Sequence, residues 1–179
     1  MTEINSKEKL LAILRDSNQR AVNWFQAIPA EDFFTRQGEI WSHSDNLDHL
    51  IKAVKPVTKA LKLPKLTLHA MFGKPAKVSM SYEELCQQYR DAIASGGQAS
   101  GRYLPNQMSP AGNTGEVKQN LLHQWSIASE ELVSIAGKWE ENDLDRYQLP
   151  HPLLGKLTIR EMLYFTIYHT LRHASQEGD

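Results

Sequence analysis

His169 and His173 stand four residues apart in the stretch Thr158-Ile-Arg-Glu-Met-Leu-Tyr-Phe-Thr-Ile-Tyr-His-Thr-Leu-Arg-His173. Four residues is just over one helical turn, so on a helix both imidazoles project from one side. Two ring nitrogens at that spacing can grip one transition-metal ion. At roughly 100° of rotation per residue, Ile159, Met162, Leu163, Thr166, His169 and His173 share an arc of about 120°. The two histidines therefore lie on the apolar face. Rings placed there need either a metal or hydrogen-bonding partners in the core.

A pair is not a complete site. A zinc-type catalytic centre takes three protein ligands and leaves one position open. The other histidines are His43, His49, His69, His123 and His151. His123 falls opposite the apolar stripe of its helix and is expected in solvent. His69 and His151 fall in expected loops, and His43 at a helix start. His49 lies at the border between the apolar stripe of its helix and a face carrying Lys52, Lys55, Lys59 and Lys62. The small Ala53 one turn on leaves space beside it. His49 could meet His169 and His173 if their helices are neighbours; a plain boundary histidine is the other reading.

Four long amphipathic helices would position these residues. The first is expected over about Ser6–Ile28, with Leu10, Leu14, Ala21 and Phe25 at helical spacing and Pro29 closing it. The second begins near Trp41–Asp45 and ends at Pro64, with Pro56 inside its apolar pattern predicting a kink. The third covers about Gly115–Trp139, on the stripe Val117, Leu121, Trp125, Ala128, Leu132, Ile135 and Trp139. A loop with Pro150, Pro152 and Gly155 precedes the fourth, which runs from Thr158 to about Gln176. Thr158 with Glu161 reads as a capping box. Between the second and third helices lies a crossover, at about 63–113, with a short helix over roughly Tyr82–Ala94. The expected fold is all-α, a four-helix bundle with this long crossover, in one domain over 1–179. No strand-rich region is apparent.

Composition removes several function classes. With 41% hydrophobic and 23% charged residues and a net charge of −1, nothing favours nucleic acid or a membrane surface as a partner. The single cysteine, Cys86, excludes an internal disulfide framework and any Cys-based zinc finger. The first fifteen residues are too polar for a signal peptide, so a cytoplasmic location is expected. No Gly-Lys-Ser/Thr follows Gly96-Gly97, so that turn is no phosphate loop. Neither His-Glu-x-x-His nor a di-iron carboxylate set is present, which argues against peptidase and oxygenase chemistry.

The stretch Trp41-Ser-His-Ser-Asp-Asn-Leu-Asp-His49-Leu50 resembles the second-helix signature of the DinB/YfiT-like metalloenzyme superfamily. That signature is a Trp-Ser pair, an acidic residue four positions on, then His-Leu. His169-x-x-x-His173-x-x-Gln176 resembles the same family's last helix. The resemblance implies an up-down-down-up bundle and a divalent metal held by His49, His169 and His173. Some members transfer low-molecular-weight thiols such as bacillithiol, mycothiol or glutathione; others have no assigned reaction, and many form homodimers. Two departures are Asp45, where glutamate is commoner, and the longer crossover.

All-nitrogen ligation suits Zn, Ni or Fe without choosing among them. A metal with an open position lowers the pKa of bound water or thiol, and the thiolate is the form that attacks. The expectation is a metal-dependent thiol transferase acting on an electrophilic small molecule, or a related hydrolase. The alternative is a non-catalytic, stress-related bundle that binds a metal or a small ligand. Asp45, on the same face as His49, could orient its ring, and Gln176 could face the same groove. Trp41 would wall the pocket.

Overall fold

The computed structural model describes residues 4, 6–110 and 112–175. Seven helices carry most of the described chain: α1 (Lys7–Ala27), α2 (Ala30–Phe33), α3 (His43–Leu61), α4 (Lys65–Phe72), α5 (Tyr82–Ala94), α6 (Thr114–Gly137) and α7 (Ile159–His173). The structure is all-α in character, with a core built from α1, α3, α6 and α7. Helix α3 packs on α6 and α7, and α1 packs on the same two. Trp125, Phe25, Phe33, Leu10, Leu14, Leu47, Leu50 and Leu132 are fully buried between them. Among the described residues no helix is long and apolar enough to cross a membrane.

Local chemistry starts each of these helices where the site needs it. Ser42 and Asp45 form a reciprocal capping box at the start of α3, as Ser81 and Glu84 do for α5. Thr158 and Glu161 do so for α7, as expected. Ser6 caps α1 by accepting from the Lys9 amide, and Asn113 caps α6. Helix α3 runs unbroken through Pro56 to Leu61.

Two elements depart from expectation. The segment around Pro150, Pro152 and Gly155 is a β-hairpin, not a loop: β1 (Gln148–His151) pairs antiparallel with β2 (Gly155–Thr158). Its strands are only four residues long, too short to show alternation, and Pro150 interrupts the pattern of β1. Gly155, at φ +74°, takes a left-handed conformation that suits glycine. Helix α4 lies where the crossover looked irregular. Only Leu68 on it is buried, while Leu66 and Met71 face solvent, so it has no apolar stripe to read.

Glu161 does more than cap α7. Its carboxylate is 5% exposed and accepts from the Thr158 amide and from the Met80 amide, both at 2.7 Å. It therefore ties the crossover to the helix that carries His169 and His173. Glu161→Ala removes the acceptor of the buried Thr158 amide and the half-buried Met80 amide and should lower unfolding stability by roughly 1–3 kcal/mol in urea denaturation. A change within about 0.5 kcal/mol, typical of idle surface positions, would show that the tie contributes little.

Candidate metal centre

Helix α7 supplies His169 and His173, and α3 supplies His49. The three rings form a near-equilateral triangle, with centroids 4.8, 4.9 and 4.6 Å apart. One nitrogen from each lies within 4.8 Å of the other two. His49 and His169 are 6% and 4% exposed, and His173 is half-buried. His49 Nε2 and His169 Nε2 approach to 3.0 Å.

The outward nitrogens are held so that the inward ones point at each other. His49 Nδ1–H donates to the Tyr103 carbonyl at 2.7 Å, which can only accept, so the proton sits on Nδ1 and Nε2 is left as a lone pair. His173 Nδ1–H donates to Asn46 Oδ1 at 2.6 Å. The Asn46 amide is itself oriented, because its Nδ2 donates to the Ser42 carbonyl at 3.0 Å. Burial, the largest cause in each case, pushes all three imidazoles below the ordinary histidine range. His173 falls to about 3, with positive neighbours His49 and Arg172 adding to the effect. Neutral imidazoles with their lone pairs turned inward are the form that binds a metal.

The donor set fits a divalent transition metal. Nitrogens each about 2.0–2.1 Å from a tetrahedral ion lie about 3.3–3.4 Å apart, so the 3.0 Å His49–His169 contact needs to open only slightly. Without a cation, that contact requires a proton on His169 Nε2, since His49 has given its own to Tyr103.

The polar partners are not the ones expected. Asp45 does not touch His49. Its Oδ2 accepts from the Ser42 amide at 2.9 Å, the Ser42 hydroxyl at 2.8 Å and Arg36 Nε at 2.6 Å. Burial pushes that carboxyl up, but Arg36 and Ser42 outweigh it and hold it below the usual range. Asn46 and the Tyr103 carbonyl do the orienting instead. Asn46 sits one turn before His49 and could have been weighed; a backbone carbonyl in a crossover leaves no sequence signal. Trp41 stands where a pocket wall belongs, stacked on His173 at 6.1 Å and edge-on to His49 at 5.0 Å. Gln176 lies outside the described residues. Cys86 is buried, and burial pushes its thiol up, so it stays protonated.

Two cavities meet at the triad. One of about 310 Å³ reaches His49 and His169. The other, of about 1140 Å³, reaches His49 and His173 past Trp41. The crossover covers the site. Besides Tyr103, the Leu104 carbonyl accepts from Lys52 Nζ at 2.7 Å, and the Asn106 amide donates to Asp48 Oδ2 at 2.7 Å.

An all-helical core with three convergent, proton-poor imidazoles facing open space has the form of a helical metal-binding protein. The chain belongs to the DinB superfamily, whose sequence profile matches residues 13–176. It is 26% identical over 140 residues to the uncharacterized protein YuaE of Bacillus subtilis (strain 168), covering 77% of this chain and 75% of that one. The crystal structure of the colibactin self-resistance protein ClbS in complex with a dsDNA superposes over 94% of this chain and 90% of its own. The TM-score is 0.47 and the identity 15%, a likeness too loose to transfer any property.

Asn46→Leu removes the acceptor that holds the His173 tautomer while keeping a similar volume. Zinc affinity, measured by competition with a chromophoric chelator, should fall about 10- to 100-fold. Unchanged affinity would show that Asn46 does not set the ring.

Proposed function

We propose that the chain holds one divalent transition metal on His49, His169 and His173 and transfers a low-molecular-weight thiol, of the bacillithiol, mycothiol or glutathione type, to an electrophilic small molecule. One observation carries this reading: three neutral imidazoles converge, with Tyr103 and Asn46 turning the lone pairs of His49 and His173 inward, and open cavities lie beside them. A metal there supplies Lewis acidity that lowers the pKa of a thiol ligand toward neutrality. The all-nitrogen donor set suits Zn, Ni or Fe alike.

The chain's own residues prepare the site for that chemistry. The Tyr103 carbonyl and Asn46 fix which nitrogen of His49 and of His173 is free. Trp41 stacks on the His173 ring and borders the larger cavity. The cavity on the His49–His169 side is walled by Ala53, Val57, Met162 and Phe165, whose apolar side chains favour a desolvated electrophile. The larger cavity, bordered by Ser42, Asn46 and Arg172, suits a polar, charged thiol.

The reading includes a four-helix bundle in up-down-down-up order. Contacts at the helix ends support it. Trp139, just after α6, donates to the Leu61 carbonyl at the end of α3, and Lys118 at the start of α6 reaches the Gln26 carbonyl at the end of α1. It also includes a single domain, a homodimer and a cytoplasmic location. A second reading, a non-catalytic binding protein, draws on a different observation: among the described residues no carboxylate is hydrogen-bonded to the triad.

The test is turnover of chlorodinitrobenzene by metal-loaded protein with a panel of thiols. Wild type should accelerate the reaction with at least one thiol, and His169→Ala should return it to the uncatalysed rate. If wild type and His169→Ala are equally inactive with every thiol, the transferase reading is wrong.

A further inference from the structure

The smaller cavity has a second polar feature facing the proposed metal ligands. His151, on β1, lines it and is 9% exposed. Its Nδ1 accepts from the Leu153 amide at 3.2 Å and the Leu154 amide at 3.1 Å, inside the hairpin turn. Both partners are donors, so the imidazole proton sits on Nε2. Among the described residues, no group accepts from that Nε2–H. Burial keeps the ring neutral, with its pKa lowered to about 4. Phe165 separates His151 from His169, with ring centroids 4.3 and 4.8 Å from the two. The Nε2–H is not sealed off within the protein but opens on the cavity, where a ligand that brings an acceptor gains a hydrogen bond in apolar surroundings.

The other buried side chains of this cavity are apolar except His49, His169 and Tyr89, whose hydroxyl accepts from Arg172 at 3.2 Å. Such a space takes an apolar body and fixes it by few polar contacts. We propose that this cavity binds an apolar carbonyl compound, with His151 Nε2–H donating to its carbonyl oxygen. The inference names the electrophile class for the thiol-transfer reading, and rests on that reading for the reaction but not for the binding. Addition of a thiol to a conjugated carbonyl forms the sulfur–carbon bond and moves the alkene pair onto the carbonyl oxygen. That is the atom held by His151. The proton given up by the thiol ends on the α carbon, so the step needs no oxidant or reductant.

Prodan, a naphthyl ketone, tests the binding in metal-free protein. Its emission moves to the blue in apolar surroundings and back to the red when its carbonyl accepts a hydrogen bond. Wild type should bind it with blue-shifted emission. His151→Asn keeps an acceptor for the turn amides but is too short to reach the ligand. It should bind prodan about five- to tenfold more weakly, with emission further to the blue. Ala53→Phe fills the cavity and should abolish binding. Independently of any variant, the analogue with its carbonyl reduced to a methylene should bind wild type about five- to tenfold more weakly. Equal affinity for prodan and this analogue, or undiminished binding by Ala53→Phe, would overturn the proposal. Because no metal is present, prodan binding as described together with an absence of metal uptake would sink the thiol-transfer reading and leave this one standing.

Discussion

The contact between His49 Nε2 and His169 Nε2, 3.0 Å across the seam of α3 and α7, sets the terms for everything around it. Two lone pairs cannot face each other at that distance in a buried space; a proton or a cation must lie between them. Without a metal the neutral His169 ring supplies that proton from Nε2; a further proton, which would charge the cluster, is disfavoured because burial pushes all three imidazoles down. The surroundings then decide which atom of each ring is offered. Tyr103 takes the outward proton of His49, and Asn46 takes that of His173. His49 and His173 are thereby held with nitrogen lone pairs turned inward toward His169.

The long crossover has a place in that commitment. Through Tyr103, Leu104 and Asn106 it is bonded to His49, Lys52 and Asp48 on consecutive turns of α3. Through Met80 it is bonded to Glu161, at the first turn of α7. One segment thus reaches both helices that carry the triad. It also divides the open space, with Gln98 and Ala99 lining both the apolar cavity and the polar one. The thiol-transfer reading calls for two approaches to one centre, and this wall leaves one on each side.

Much of this was legible in the sequence, for physical reasons. The amphipathic periods of α1, α3, α6 and α7 are strong because each buries a continuous stripe, and the Thr158–Glu161 box announced the start of α7. His169 and His173 were visible as polar residues on an apolar face, and His49 as a border residue beside the small Ala53. What escaped was chemistry that depends on tertiary placement. His151 looked like a loop histidine because its four-residue strand has no period of its own. Asp45 carried the right charge at the right spacing, yet its hydrogen bonds run through Oδ2 to Ser42 and Arg36 at the helix start and not to His49. Tyr103 acts through its carbonyl, which every residue possesses. Helix α4 hides its one buried residue, Leu68, among exposed apolar neighbours.

The central claim is that three imidazoles share one metal ion. X-ray absorption on zinc-loaded, untagged protein tests it most directly. The account predicts one zinc per chain with a shell of nitrogen at about 2.0–2.1 Å and the outer-shell signature of three imidazoles. A sulfur shell from Cys86, a shell without imidazole scattering, or protein that retains no zinc would contradict it.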